Sequence, residues 1–270
     1  MVRKFLTLVK MSVVLISLLM IGCTGFAEAK EEFRETYAVE SGAILDIANK
    51  NGDIRIQVWD KDQVEVYALK STMWGRDELK KVDIKVTTDG GITIETDYLS
   101  KTARVSVDYD IRVPAGVSVR GVETANGEIE VEGVAGDVEA ATFNGEVILR
   151  DVNGTVTAFT SNGDITITGA KGVLDARTSN GDIRVEIASV TEDIDLSTSN
   201  GSIDVYVSPA LNADVELRTS NGGVDVSSSV PLTVRDSSKK RVTGQMGSGG
   251  PRITAVTSNG DVDLRALTGK

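Results

Sequence analysis

"TSNGDI" at Thr160–Ile165 returns unchanged at Thr178–Ile183, and with small changes at Thr198–Ile203 (TSNGSI), Thr219–Val224 (TSNGGV) and Thr257–Val262 (TSNGDV). Asn-Gly pairs begin at Asn126, Asn144, Asn162 and Asn180, a spacing of 18, and then at Asn200, Asn221 and Asn259 after 20, 21 and 38 residues. Gly136, Gly154 and Gly172 each fall nine residues after the glycine of the preceding pair. A fixed period of this length marks a stack of repeated units, each too small to bury its apolar face alone.

Both halves of the unit alternate with the period of a strand. Val156, Ala158 and Thr160 lead into one Asn-Gly pair, and Ile165 and Ile167 follow it; Leu174, Ala176, Thr178, Ile183 and Val185 repeat the pattern. Asn-Gly between alternating strands is also a strong hairpin signal, which would give an antiparallel meander. The strands flanking each glycine, however, resemble their counterparts 18 residues away and not each other. That equivalence predicts stacked coils, so the expected fold is all-β, a parallel β-solenoid of about 18-residue coils.

In such a stack like residues form columns about 4.8 Å apart. Continuing the alternation from Thr160 predicts that Asn162 points inward at a corner. Its amide would then join a structural ladder of Asn126, Asn144, Asn162, Asn180, Asn200, Asn221 and Asn259, with glycine supplying a positive φ beside it. Glu128, Glu146, Asp164 and Asp182 would form a column of like charges; these either splay into water or bridge through weakly held calcium.

The chain has 270 residues, 40% hydrophobic and 4% aromatic, which is enough apolar material for a core of Val, Ile, Leu and Ala. Residues 40–120 alternate without the strict repeat and are expected to form an N-terminal β cap region, with residues 121–267 as the solenoid. Arg76–Lys80 hints at a helical turn. Ser227–Gly250 reads as a solvated loop carrying Lys239, Lys240 and Arg241. Trp59 and Trp74 are expected in the cap core; solvent-facing rings would favour glycan binding.

Residues 1–22 have the form of an export signal, with Arg3 and Lys4 ahead of an apolar stretch. Two cleavage readings stand. Leu19-Met20-Ile21-Gly22-Cys23 resembles the lipoprotein box, which would make Cys23 the lipidated first residue and anchor the chain to a membrane, with residues 23–39 as a linker. Ala27-Glu28-Ala29 fits an ordinary cleavage site and a secreted soluble chain. The single cysteine favours the first, since a lone thiol in an exported protein has no disulfide partner.

A net charge of −11 makes nucleic acid an unsuitable partner. The chain has no histidine, which removes Ser-His-Asp and Cys-His catalysis and histidine metal sites. Phosphate-binding glycine loops are missing as well. No catalytic residue, metal ligand or cofactor is expected.

The repeat, the stretch YDIRVPAGVSV at Tyr109–Val119 leading into TANGEIEVEG, and the export signal together resemble the bacterial putative-adhesin family, a domain of unknown function with TSNGDI-type repeats, over roughly residues 40–266. The resemblance implies a β-helix-like extracytoplasmic protein without catalytic residues. It would bind an envelope or surface ligand, glycan or protein. The alternative is an envelope component that docks onto a membrane protein; a polysaccharide-active enzyme ranks behind both.

Overall fold

The computed structural model describes residues 28–267. The N-terminal part contains β1 (Ala29–Ala38), β2 (Ile44–Ala48), β3 (Ile54–Trp59), β4 (Gln63–Thr72), a single helical turn α1 (Arg76–Leu79), β5 (Val82–Thr87), β6 (Ile92–Tyr98), β7 (Ser106–Pro114) and β8 (Ser118–Glu123). The repeats supply β9 (Ile129–Glu132), β10 (Val138–Ala141), β11 (Val147–Arg150), β12 (Thr155–Phe159), β13 (Ile165–Thr168), β14 (Gly172–Asn180), β15 (Ile183–Ile187), β16 (Ile194–Asn200), β17 (Ile203–Val207), β18 (Ala213–Asn221) and β19 (Val224–Val226). The last part adds β20 (Leu232–Ser238), β21 (Arg241–Met246), β22 (Arg252–Asn259) and β23 (Val262–Ala266).

These strands form two long sheets, and each coil gives one strand to each sheet. The first runs β1-β4-β7-β3-β9-β11-β13-β15-β17-β23-β19, the second β20-β21-β18-β22-β16-β14-β12-β10-β8-β2-β6-β5. Within the stack the pairing is parallel and in register, with Ile129, Val147, Ile165, Ile183, Ile203 and Val262 as successive partners. The fold is a parallel β-solenoid.

The inward column of those six residues is fully buried, as are Ala140, Ala158, Ala176 and Ala255 in the second sheet. The second sheet adds buried Val138, Val156, Leu196, Leu217 and Ile253 beside those alanines, so a coil of two short strands closes a core of aliphatic side chains without large rings. Burying a Val, Ile or Leu contributes about 1.5–3 kcal/mol. The column therefore repeats that gain at every rung, which is why a short unit becomes stable only by stacking.

The order of coils in space departs from their order in the chain at both ends. The β2–β3 coil lies between β6–β7 and β8–β9, and the β22–β23 coil lies between β16–β17 and β18–β19. Residues 44–59, expected within a cap, are thus a coil of the stack itself. The first and last coils of the chain are inserted, with partners on both edges.

Antiparallel strands close the stack: β4 on β7, β1 on β4 and β5 on β6 at one end, β21 on β18 and β20 on β21 at the other. Two expectations are corrected here. Ala29–Ala38, read as linker, is strand β1, paired with β4 along all ten residues. Ser227–Gly250, read as a loop, contains the β20–β21 hairpin. Both are edge strands with charged or polar outward residues, such as Lys30, Glu32 and Arg34 in β1 and Arg235 and Asp236 in β20, and β20 is further broken by a register shift between Val234 and Asp236. Charge and irregular pairing on an edge prevent further strands from adding, and the same charges hide a strand from pattern reading.

Candidate functional site

The corner built by TSNGDI is the most repeated exposed feature of the molecule. Thr160 is buried, and its hydroxyl donates to the Gly145 carbonyl of the neighbouring coil at 3.0 Å; Thr142, Thr178, Thr198, Thr257 and Thr219 make the equivalent bond at 2.8–3.1 Å. Gly163 sits at φ +157°, and a Cβ built on it would lie 2.0 Å from the Gly145 carbonyl oxygen. Only glycine allows that approach.

The asparagines form one continuous chain of amide hydrogen bonds, but on the outside. Nδ2 donates to the neighbouring Oδ1 from Asn126 to Asn51 (2.8 Å), Asn144 to Asn126 (2.7 Å), Asn162 to Asn144 (2.8 Å), Asn180 to Asn162 (2.9 Å), Asn200 to Asn180 (2.9 Å), Asn259 to Asn200 (3.0 Å) and Asn221 to Asn259 (3.0 Å). Asn162 and Asn180 are exposed, in contrast to the expected inward placement. The alternation breaks because Thr160 takes the inward position and two residues in a row, Ser161 and Asn162, then turn outward as the chain bends into the next sheet.

Several amides also donate to a serine carbonyl, such as Asn180 to Ser161 at 3.3 Å and Asn259 to Ser199 at 3.2 Å. Both N–H groups of these amides are therefore engaged, and they have little left to offer a ligand. What stays free along the corner is the column beside them. Ser179, Ser199, Ser220 and Ser258 are exposed, and Ser161 and the exposed Phe143 continue the line.

Two of the four expected column members, Asp164 and Asp182, together with the equivalent Asp53 and Asp261, behave differently from either expectation. The Asp164 carboxylate accepts the Asp182 backbone N–H at 2.8 Å, Asp182 accepts that of Ser202 at 2.7 Å, Asp53 that of Glu128 at 2.8 Å and Asp261 that of Gly223 at 2.7 Å. At Ser202 a hydroxyl replaces the carboxylate and accepts the Asp261 N–H at 3.2 Å. Short side chains thus bond to the next rung, and the N–H dipole offsets the like-charge repulsion. We expect Asp164→Ala to cost about 1 kcal/mol in urea unfolding and Asp164→Ser to recover most of it, because serine can make the same bond; equal losses in both would show that the bond contributes nothing.

Glu146, half-buried in this column, has its carboxyl raised above its ordinary value of 4.5, chiefly by burial and then by the neighbouring Glu128 and Asp164 charges. A raised carboxyl is favourable to the fold below its ordinary value, and that contribution is lost as the pH climbs through the raised one. Glu146→Gln should therefore raise the thermal midpoint at pH 7 and leave it unchanged below about pH 4. A gain that is the same at both pH values would refute this origin.

The flat faces are laced with ion pairs, some between neighbouring strands and some within one strand. Glu130 pairs with Arg55 at 2.6 Å and with Arg150, Arg177 with Asp175 at 2.7 Å, Arg265 with Asp263 at 2.8 Å and Arg241 with Glu216 at 3.2 Å. In the basic hairpin turn, Lys240 donates to the Ser220 carbonyl at 2.5 Å. A shallow depression of about 310 Å³ lies between Trp59, Lys61 and Val117. Among the described residues no group of three or more His, Cys, Asp or Glu side chains is placed to hold a metal, and no helix is long and apolar enough to cross a membrane. Cys23 lies outside the described residues.

Trp59 is half-buried and donates its indole N–H to the Gln63 carbonyl at 2.8 Å. Trp74 is not in a core: it is 64% exposed, with the Arg104 guanidinium 4.0 Å from its ring centre. Pattern reading also missed the buried threonine hydroxyls and the aspartate-to-backbone bonds. The signal was present in the letters themselves, since Thr and Asp recur at fixed places where Val or Lys would preserve the alternation equally well.

Three solved structures are similar to this chain at low identity. A putative cell adhesion protein from Clostridium sporogenes ATCC 15579 is 11% identical, with 88% of this chain and 100% of that one covered and a TM-score of 0.32. A putative adhesin from Bacteroides fragilis NCTC 9343 is 14% identical, with 88% and 98% covered and a TM-score of 0.41. A putative adhesin from Parabacteroides distasonis ATCC 8503 is 12% identical, with 87% and 97% covered and a TM-score of 0.32. No curated protein matches. The Toastrack DUF4097 family matches residues 45–265, most of the stack, and the chain belongs to that family.

Proposed function

We propose that this protein is an exported, lipid-anchored, non-catalytic binding protein of the cell envelope that acts as an adhesin. The observation that carries the reading is the corner edge, a straight line of exposed serines beside a fully bonded asparagine ladder, repeating at about 4.8 Å per rung. Hydroxyls at regular intervals on a rigid edge match an extended polymer with its own short repeat, as envelope glycans have. The ladder holds the spacing, and the hydroxyls make the contacts. Cys23 is the attachment point in this reading, and the acidic body stays away from nucleic acid.

The aspartates beside the corner support recognition over reaction, because they already accept backbone N–H groups and are unsuited to proton transfer. The test is retention of the chain on isolated envelope polysaccharides, with calcium and with a chelator, compared with Ser179→Tyr/Ser199→Tyr. Saturable retention on one polymer, lost in the double variant, would support the edge as the binding surface. Retention by a membrane protein alone would overturn the adhesin reading in favour of a docking component.

A further inference from the structure

We propose that the end of the stack bearing Met73, Trp74 and Leu99 rests on an anionic lipid bilayer, with these side chains at headgroup level. The inference rests on the reading of Cys23 as a lipid anchor. Five large apolar side chains are conspicuously exposed among the described residues, and three of them belong to this one end: Met73 (55%), Trp74 (64%) and Leu99 (59%).

They are held on a linked framework. Thr72 donates its hydroxyl to the Arg104 carbonyl at 2.6 Å and accepts the Trp74 N–H at 3.2 Å; the Arg104 N–H donates to Glu78 at 3.2 Å; Glu78 pairs with Lys81, whose carbonyl accepts the Leu99 N–H at 2.9 Å. An exposed ring fixed under a guanidinium is a presented surface and not a floppy loop. Trp with adjacent Arg and Lys is also the composition that settles at a membrane interface.

The chain outside the structure supplies the second argument. Ala29 pairs directly with Thr72, so the chain enters the fold beside Trp74. Five residues separate Cys23 from Ala29, and the six steps between them span about 20 Å at most when fully extended. A lipid on Cys23 therefore keeps this end near the headgroups whatever the rest of the protein does, and the tether makes the local concentration high enough for weak contacts to count.

Charge points the same way. The chain carries −11 overall, yet Arg76, Lys101 and Arg104 are exposed at this end, while Asp77 and Glu78 are paired with Lys80 and Lys81. An anionic surface attracts this end and repels the acidic body. The solenoid then stands off the membrane, with Asn51 at the near end of the ladder and Asn221 about 34 Å farther out across seven rungs.

Cys23 is the only cysteine, so the chain from Cys23 to Lys270, which keeps every described strand, can be coupled there to vesicles of phosphatidylglycerol and phosphatidylethanolamine containing a maleimide lipid. With Trp59→Phe, Trp74 is the sole tryptophan. Acyl-brominated lipid should reduce its emission at least about twofold and leave it blue-shifted. If Trp59→Phe disturbs folding, the difference between the unchanged chain and Trp74→Phe reads the same ring. Unquenched Trp74 on a coupled chain overturns the proposal, as does shielding of the ring by a soluble glycan without lipid quenching. Separately, the mass of the N-terminal peptide from cells tests the anchor: an unmodified Cys23 or a chain beginning at Lys30 overturns anchor and proposal together, whereas lipidated Cys23 with unquenched Trp74 overturns only the membrane-facing end.

Discussion

Gly163→Ala should lower the unfolding free energy by about 3 kcal/mol, while Gly42→Ala should cost about 1 kcal/mol. Both glycines have positive φ, +157° and +84°. They differ in what a methyl group would meet. At Gly42 there is nothing within 4 Å, so only the backbone conformation is penalised; at Gly163 the Cβ would lie 2.0 Å from the Gly145 carbonyl oxygen and 2.5 Å from its carbonyl carbon. Backbone cannot rotate away as a side chain can, and separating the two rungs would stretch the Thr160–Gly145 bond and the Asn144–Asn162 amide bond together. Urea midpoints at constant m-value measure the difference. Equal costs at both sites would mean that the close approach of rungs is not what selects glycine at the corner.

That pair also shows what was legible in the sequence. The period of 18 placed the strand partners, because a repeat that stacks must put like residues opposite each other: Ile129, Val147 and Ile165 are partners for that reason. It also placed the asparagines in one column. Their direction was not legible, since alternation is a rule for extended chain and the chain bends between Thr160 and Asn162. The exposure of Trp74 was equally hidden; an aromatic residue following the buried Thr72 reads as core, and only the tertiary placement of Arg104 shows that the ring is carried outside.

The spatial order of coils was beyond local patterns for a different reason. Leu217, Thr219 and Asn221 have the same spacing as Leu196, Thr198 and Asn200, so β18 satisfies every local requirement for pairing with β16. What lies between them instead is β22, whose Ile253, Ala255, Thr257 and Asn259 pair in register with both neighbours. Ala255 separates Leu196 from Leu217 in the core column, and Asp193 fixes the entry of β22 by accepting the Arg252 N–H at 2.8 Å. The choice is made by packing and by the length of the β20–β21 hairpin that carries the chain back, and neither is written in a six-residue motif.

Insertion of the last coil leads to an effect unusual for a chain terminus. Removing residues 251–270 should lower the thermal midpoint by about 6–12 °C, corresponding to about 3 kcal/mol for a chain of this size. A terminal strand pair at an open edge frays at almost no cost. Here Ile253, Ala255, Val262 and Leu264 are fully buried between coils on both sides, so their loss removes two interfaces at once. The deleted chain has a way to recover, because β18 shares its register with β22 and can move down one rung to meet β16, bringing Asn221 onto Asn200. That recovery restores one interface and releases the ordering entropy of the deleted residues, which is why the loss is smaller than the burial of three large side chains alone implies. The shortened stack should retain its β signal in circular dichroism and unfold in one transition at the lower temperature. In the intact chain the amides of Ile253–Thr257 should exchange as slowly as those of Ile183–Val185 in the middle of the stack. Fast exchange there, or an unchanged midpoint after deletion, would place the last coil at an open edge and refute the insertion.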